Sequence, residues 1–127
     1  MDESRRYRRG MKIRRAVLGD AHVDRAETTK NRFNEPFQEL ISRYAWGEIW
    51  TRKGLPRKTR SLVTIGMMVA LNRPEELRMH LRAAANNGVS RKEIQEVLLH
   101  AAIYCGVPAA NSAFHIAEAV FRKEPEK

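Results

Sequence analysis

The chain has 127 residues, 43% of them hydrophobic and 31% charged, which indicates one globular domain with a modest core. No apolar run approaches the ~18 residues of a membrane span, no secretory signal is visible, and a single cysteine excludes an internal disulfide framework, so we expect a cytoplasmic protein without a membrane partner. Residues 1–15 hold seven basic and two acidic residues, more than half of the net charge of +9, which favours a solvated or intersubunit basic arm over nucleic-acid binding.

The N-terminal part is expected to form one basic helix followed by an irregular segment. Residues 5–19 predict a helix that ends at Gly19, although Gly10 lowers its helix propensity. Residues 21–32 are polar and lack apolar periodicity, so we expect no regular structure there.

A short helix and a structured loop are expected next. Asn34 is a candidate N-cap, with Pro36 in the first turn, for a helix that runs to about Tyr44. Residues 46–55 break the helical period and contain two glycines and two tryptophans, which is typical of a structured loop.

Two central helices follow. Pro56 opens the first, and its residues 61–71 are apolar on nearly all sides, which predicts a central and buried helix. Pro74 starts the second, and Gly88 ends it as the glycine that follows the C-cap.

Each of the last two helices carries one apolar stripe. Ser90 and Glu93 predict a capping box at the start of the first, Gly106 ends it, and Pro108 opens the second. The stripes consist of Ile94, Val97, Leu98, Ala101, Ala102 and Cys105 in the first helix and of Ala110, Ala113, Phe114, Ala117, Val120 and Phe121 in the second. Cys105 is therefore expected to be a small core residue.

These elements define an all-α fold of five or six short helices joined by short loops. We treat residues 1–127 as one domain, with a basic N-terminal helix or arm over residues 1–27 and a helical core over residues 28–127. No metal site is expected, because Glu96 and His100 lie one helical turn apart but two ligands without a third do not hold a metal ion.

Polar residues occupy one side of the second central helix, which should face a core. Arg73, Glu76 and His80 follow at intervals of three and four, so they share a face with Leu77 and Leu81. An imidazole in this position is either a hydrogen-bonded core residue or a functional group. A guanidinium at a helix start is either a surface charge or a bidentate clamp for a carboxylate.

Three stretches carry a resemblance to a known family. They are "RYAWGEIWTRKGL" at residues 43–55, "RSLVTIGMMVALNRPEELRMHLRAAANNGVSRKEIQEVLLHAAIYCGVPAAN" at residues 60–111, and "AFHIAEAVF" at residues 113–121. Together they resemble the carboxymuconolactone decarboxylase family, and the likeness covers about residues 5–121. It implies the alkylhydroperoxidase-D-like fold, in which helical hairpins pack into oligomers, here a ring of six built as a trimer of dimers, with the first and last helices at subunit contacts.

The thiol peroxidases of the same superfamily use two cysteines and a histidine on the helix that corresponds to residues 73–88. When the chains are aligned on "NNGV", the thiol positions fall on Arg73 and Glu76 and the histidine position falls on His80. Thiol peroxidase chemistry needs two sulfur atoms within exchange distance, so we expect it to be absent.

The resemblance implies decarboxylation of a carboxymuconolactone in protocatechuate catabolism, the β-ketoadipate pathway. Such a reaction needs a hydrogen-bond donor or cation at the lactone carbonyl, a cation for the second carboxylate, an acid, and a partly dry pocket. It needs no metal, flavin or pyridoxal cofactor, because the unsaturated lactone accepts the electron pair itself. The expected ligand is therefore a small anionic lactone.

The resemblance favours a functional role for His80, as the proton donor or as the hydrogen-bond partner of the carbonyl. Arg73 is a candidate carboxylate clamp, with a surface arginine as the alternative. Arg60 is a second candidate anion-binding residue, with pairing to a neighbouring carboxylate as the alternative. Glu76 is expected only to orient His80.

The two tryptophans of the predicted loop are candidates for the walls of a dry pocket. Trp46 and Trp50 would then flank the substrate, although two tryptophans on a loop more often anchor that loop to a core. Glu48 lies between them and is a candidate acid or a residue that orients His80. His115 lies on the polar side of the last helix, so solvent or a subunit contact is expected there.

Two other functions stay open from the sequence. A peroxidase-like reductase of the same superfamily is disfavoured by the missing second cysteine. A noncatalytic oligomeric binding protein, with its basic arm on an acidic partner, would not need His80, Arg73 and Arg60 around one pocket.

Overall fold

The computed structural model describes residues 1–124, and every regular element in this range is helical. The α-helices are α1 Glu3–Leu18, α2 Asp20–Thr28, α3 Glu35–Leu40, α4 Arg57–Ala70, α5 Pro74–Ala83, α6 Arg91–Tyr104 and α7 Val107–Lys123. A π-helix, Ile41–Ile49, continues α3, and a 3-10 helix, Ala84–Asn87, continues α5. The all-α class is confirmed for the described range, with more helices than the five or six expected.

The chain divides into two compact units. The first runs from Met1 to Arg57 and contains α1, α2, α3 and the π-helix, and the second begins at Lys58. The single domain over residues 1–127 stays a prediction.

In the first unit, α1 packs on the π-helix at very short range. A Cβ atom added to Gly10 would lie 1.7 Å from the carbonyl oxygen of Ser42, and one added to Gly47 would lie 2.6 Å from the carbonyl oxygen of Arg6. Only glycine fits at these two positions, because any side chain would overlap backbone. Gly10 therefore lies in α1 for a packing reason that outweighs its low helix propensity.

The expectation that residues 21–32 are irregular is wrong for most of that segment, because α2 spans Asp20–Thr28. This helix buries one apolar side chain, Val23, and is otherwise polar. Arg15 of α1 pairs with Asp20 at 3.1 Å and with Asp24 at 2.9 Å. Apolar periodicity does not predict this helix, because it has one buried apolar side chain, Val23, and is joined to α1 by ion pairs.

The prediction of a loop over residues 46–55 is wrong for its first four residues. Residues 46–49 belong to the π-helix, and the backbone N–H of Trp50 donates to the carbonyl of Ala45 at 3.0 Å, five residues earlier. The helix predicted from Asn34 to about Tyr44 is therefore longer, and changes from α to π geometry after Leu40. π-Helical turns are rare and occur often at functional sites.

The second unit has a core of small and aliphatic side chains from α4 to α7. Its buried members are Ile65, Val69, Leu77, Leu81, Ala84, Val89, Ile94, Leu98, Ala101, Ala113, Ala117 and Val120. These include six of the twelve residues in the two stripes predicted for α6 and α7.

Two predictions about burial in this unit are wrong for the single chain. The apolar helix α4 buries only the face of Ser61, Ile65 and Val69, while Met67 on another side is 55% exposed. Cys105 is exposed rather than in the core, because α6 ends at Tyr104 and the thiol lies beyond its last turn.

The capping box at the start of α6 is confirmed. The Ser90 hydroxyl accepts from the N–H of Glu93 at 3.1 Å, and the Glu93 carboxylate accepts from the N–H of Ser90 at 2.9 Å. Lys58 also pairs with Glu93, at 2.7 Å. The Lys58 ammonium and then the Ser90 N–H lower the pKa of Glu93, because both bond its charged form.

Glu93→Gln is expected to lower the melting temperature at neutral pH, and the difference should shrink as the solution is made acidic. A lowered folded-state pKa stabilises the fold above the unfolded pKa, and this stabilisation is lost as the pH falls through the folded pKa. Thermal melts of both proteins from neutral to acidic pH test this. Glu96→Gln on the same helix is the control, and equal curves for Glu93→Gln and wild type would contradict it.

Candidate active site

Helix α5 begins immediately after a tight turn from α4. Asn72 has φ 55°, a left-handed conformation that asparagine tolerates, and the N–H of Arg73 donates to the carbonyl of Met68 at 3.0 Å. Arg73 is the N-cap, Pro74 fixes the first turn, and the carbonyl of Arg73 accepts from Leu77 N–H at 2.8 Å. This turn sets which face of α5 the following polar residues occupy.

Along α5 the environment changes from solvent to core. Arg73 and Glu76 are exposed, whereas His80 is 8% exposed. The neighbours of the imidazole along the same helix, Leu77 and Leu81, are each 3% exposed and belong to the core of the second unit. The predicted apolar setting is present for His80, while Arg73 and Glu76 lie at the solvent side in the single chain.

The burial of His80 has a direct electrostatic consequence. Hydrogen bonds and charges act more strongly among apolar side chains than in water, so an imidazole there can deliver a proton or a hydrogen bond with little competition from solvent. Both ring nitrogens are able to donate or accept according to the protonation state.

Arg60 and Ser61 lie in the first turn of α4. Arg60 is half-buried, and its carbonyl accepts from the Thr64 hydroxyl at 2.7 Å. Ser61 is fully buried, and its hydroxyl has no hydrogen-bond partner among residues 1–124. Sequence reasoning did not single out Ser61, although its four-residue spacing from Ile65 and Val69 places a hydroxyl on the buried stripe. A buried polar group of this kind is unusual in a folded core.

The π-helix carries Trp46 and Glu48, and Trp50 is its C-cap residue. The rings of Trp46 and Trp50 lie 5.1 Å apart between centroids and are tilted by 33°, a favourable aromatic pair, and Trp46 is buried. Glu48 lies between them in the sequence, and its side chain is 40% exposed. Its carboxylate oxygen Oε2 accepts a hydrogen bond from Nη1 of Arg6, a partner that sequence reasoning did not name.

The predicted site residues therefore fall into two groups. Trp46, Glu48 and Trp50 belong to the first unit, and Arg60, Arg73 and His80 belong to the second. Their roles stay predictions.

Several other candidate positions lie at the surface. His115 is exposed, as expected, and His100 is exposed with its ring 4.8 Å from that of Tyr104. No cluster of three or more histidine, cysteine or acidic side chains that could hold a metal ion occurs in residues 1–124. In the same range no helix is long and apolar enough to cross a membrane.

Comparison with known proteins assigns the family. Residues 35–119 match the model of the carboxymuconolactone decarboxylase family. The chain is 53% identical, over 130 aligned positions, to the 4-carboxymuconolactone decarboxylase of Acinetobacter baylyi, and the alignment covers 100% of this chain and 97% of that protein. The chain belongs to the carboxymuconolactone decarboxylase family.

Two further relatives show the range of the similarity. The nitrosuccinic acid decarboxylase npaB of Metarhizium robertsii is 44% identical over 114 residues, which cover 90% of this chain and 80% of that protein. A 4-carboxymuconolactone decarboxylase sequence from Pseudomonas putida is 60% identical over 48 residues, which cover 38% of this chain and 100% of that sequence.

Proposed function

We propose that this chain is a 4-carboxymuconolactone decarboxylase that converts γ-carboxymuconolactone into β-ketoadipate enol-lactone in the breakdown of protocatechuate. The observation that carries the proposal is the 53% identity to the Acinetobacter baylyi enzyme, which extends over the whole chain. The buried imidazole on α5 supplies the chemical group that such a reaction needs.

The reaction breaks one carbon–carbon bond and forms one carbon–hydrogen bond. The ring carboxylate leaves as carbon dioxide, and the electron pair of the broken bond moves through the ring double bond onto the lactone carbonyl oxygen. The resulting dienolate then takes a proton at the carbon next to the carbonyl. No metal or organic cofactor is needed, because the conjugated lactone stores the electron pair between the two steps.

His80 is assigned the interaction with the developing dienolate. A donor at the carbonyl oxygen stabilises the charge that forms there, and the same imidazole can supply the proton that completes the reaction. Arg73 and Arg60 are assigned to the substrate carboxylates, because a guanidinium binds a carboxylate with two parallel hydrogen bonds. The exposure of Arg73 fits a residue that meets the anion as it enters.

The residues of the π-helix and its C-cap are assigned supporting roles. Trp46 and Trp50 would exclude water near the departing carboxylate, since loss of carbon dioxide is favoured where the charge is poorly solvated. Glu48, whose partner is a guanidinium, is assigned to orient the proton donor, as a carboxylate that accepts a hydrogen bond from it.

One relative favours a second substrate class. Nitrosuccinic acid, the substrate in the name of the 44% identical relative, also pairs a carboxylate with a neighbouring electron-accepting group. Measurement of kcat/KM for the lactone and for nitrosuccinate with the purified chain separates the two. We expect the lactone to be preferred by at least about a hundredfold, and a preference for nitrosuccinate would overturn the proposed substrate.

We also propose that the active form is a homo-oligomer of six chains, a trimer of dimers, that acts in the cytoplasm. Large apolar side chains are exposed on two faces of the single chain, and such patches usually mark subunit contacts. They are Val63, Met67 and Leu71 at four-residue spacing on and just after α4, and Leu99, Ile103, Tyr104 and Val107 at the junction of α6 and α7.

Light scattering at micromolar concentration tests the assembly. A mass about six times that of one chain is expected, and Met67→Glu should lower it, because a charge on an apolar contact is costly to bury. Lys92→Glu, on an exposed polar position, is the matched control. A monomer mass for the wild-type protein would contradict the proposal.

A further inference from the structure

The basic N-terminal helix makes a specific contact to the predicted site residue Glu48. Nη1 of Arg6 donates to Oε2 of Glu48 across 42 positions of the chain. The Arg6 guanidinium lies 5.2 Å from the centroid of the Tyr44 ring, and Nε lies 3.4 Å from the Glu3 carboxylate. The Arg6 side chain is only 18% exposed, so ring and carboxylates hold it in one orientation.

The backbone immediately before Glu48 is held by the next turn of the same helix. Arg9 donates to the carbonyl of Gly47 from Nε at 3.0 Å and from Nη2 at 2.7 Å, and Nη2 also reaches the Thr51 hydroxyl at 3.1 Å. Gly47 in turn lies against the backbone of Arg6 with no space for a side chain. Main chain and carboxylate are thus both held by α1.

Arg6 keeps its charge in this setting. Desolvation lowers the pKa of Arg6, but the hydrogen bond and attraction of Glu48, together with Glu3 and Tyr44, outweigh it and raise the pKa above its ordinary value. In the hydrogen bond from Nη1, Oε2 of Glu48 is the acceptor.

We propose that Arg6 is a positioning residue that fixes the carboxylate of Glu48 for its contact with the proton donor. The contact occupies Oε2 and leaves Oε1 available to accept a hydrogen bond from that donor. Arg6 belongs to the basic arm, which was expected to be solvated or intersubunit, and here it contacts a predicted site residue. The inference rests on the proposed role of Glu48.

The guanidinium, and not only its charge, is needed for this task. Its planar fork can stack on Tyr44 while Nη1 holds Glu48, whereas a lysine ammonium offers a point charge on a flexible stem. Arg6→Lys is therefore expected to recover only part of the activity that Arg6→Gln loses.

Steady-state kinetics of the full chain with the lactone test the proposal. Arg6→Gln is expected to lower kcat on the order of tenfold to a hundredfold, because small displacements of a positioned group are costly, with KM changed by less than about threefold. Arg8→Gln, which removes an equal charge from an exposed position of α1, is the matched control and should behave as wild type.

A double-mutant cycle separates this inference from the role of Glu48 itself. If Arg6 acts through Glu48, the Arg6→Gln and Glu48→Gln double variant is no slower than Glu48→Gln alone. Multiplying effects of the two substitutions would overturn the positioning role of Arg6 and leave the role of Glu48 in place. Wild-type kinetics for Glu48→Gln alone would instead remove the proposed role of Glu48, and the inference with it. Circular dichroism of each variant checks that α1 remains folded.

Discussion

Replacement of His80 by alanine is expected to lower the rate of lactone decarboxylation by on the order of 10²–10⁴-fold, the usual contribution of a positioned acid–base group. The imidazole is 8% exposed between apolar neighbours on α5, so water cannot easily replace it as a donor. His80→Asn, which keeps a polar side chain but cannot supply a proton, should be slowed to a similar degree. Steady-state kinetics on both variants check this.

The control for His80 is His115, which is exposed on α7. His115→Ala should keep wild-type kcat, helix content and mass. Arg73→Ala should instead raise KM more than it lowers kcat, because its assigned role is to hold a carboxylate. Near-normal turnover by both His80 variants would make that histidine a core residue and would place the acid elsewhere.

Substitution of Gly10 by alanine is expected to destabilise the first unit on the order of 3 kcal/mol, the upper end of the range for overpacking. Alanine is the better helix former by about 1 kcal/mol, so propensity alone predicts the opposite sign. The clash is expected to outweigh the gain in helix propensity, because the new Cβ would lie 1.7 Å from the backbone oxygen of Ser42, which cannot rotate away. Activity should fall as well, since the same crossing holds Glu48.

Gly66 is the matched control for Gly10, since it also lies inside a helix. A Cβ atom there would meet only Val97, at an ordinary 3.8 Å. Gly66→Ala should therefore stabilise the protein by up to about 1 kcal/mol. Urea unfolding of the two variants measures both signs, and a Gly10→Ala protein as stable as wild type would show that α1 does not pack closely on the π-helix.

The parts of the fold that follow local chemical signals could be predicted from the sequence. Pro74 and Gly88 mark the ends of α5 and its 3-10 extension, and the capping box of Ser90 and Glu93 forms as expected. Each of these signals acts within a few residues, so no knowledge of the tertiary structure is needed to interpret it.

The features that depend on distant partners could not be predicted. Helix α2 has too little apolar periodicity to be predicted from the sequence. Its acidic residues Asp20 and Asp24 pair with Arg15 of α1 instead. The basic run at the N-terminus was visible, but its partner Glu48 lies 42 positions away from Arg6. The apolar composition of α4 predicted burial on nearly all sides, but Met67 is 55% exposed in the single chain. Composition shows that a helix is apolar and does not show which of its sides the same chain buries.

For the same reasons, only part of the candidate site could be predicted from the sequence. His80 is buried on the face that its spacing from Leu77 and Leu81 predicted. The hydroxyl of Ser61 and the guanidinium of Arg6 were not singled out, because their positions acquire meaning only through burial and through a contact between α1 and the π-helix.

The most direct test of the proposed function is the stoichiometry of the reaction in heavy water. Purified wild-type protein, treated with a chelator, should convert γ-carboxymuconolactone to the enol-lactone with one carbon dioxide released per lactone consumed. The product should carry one deuterium at the carbon next to the carbonyl, because that carbon takes its proton after carbon dioxide has left. Unchanged lactone, or consumption of lactone without release of carbon dioxide, would contradict the account.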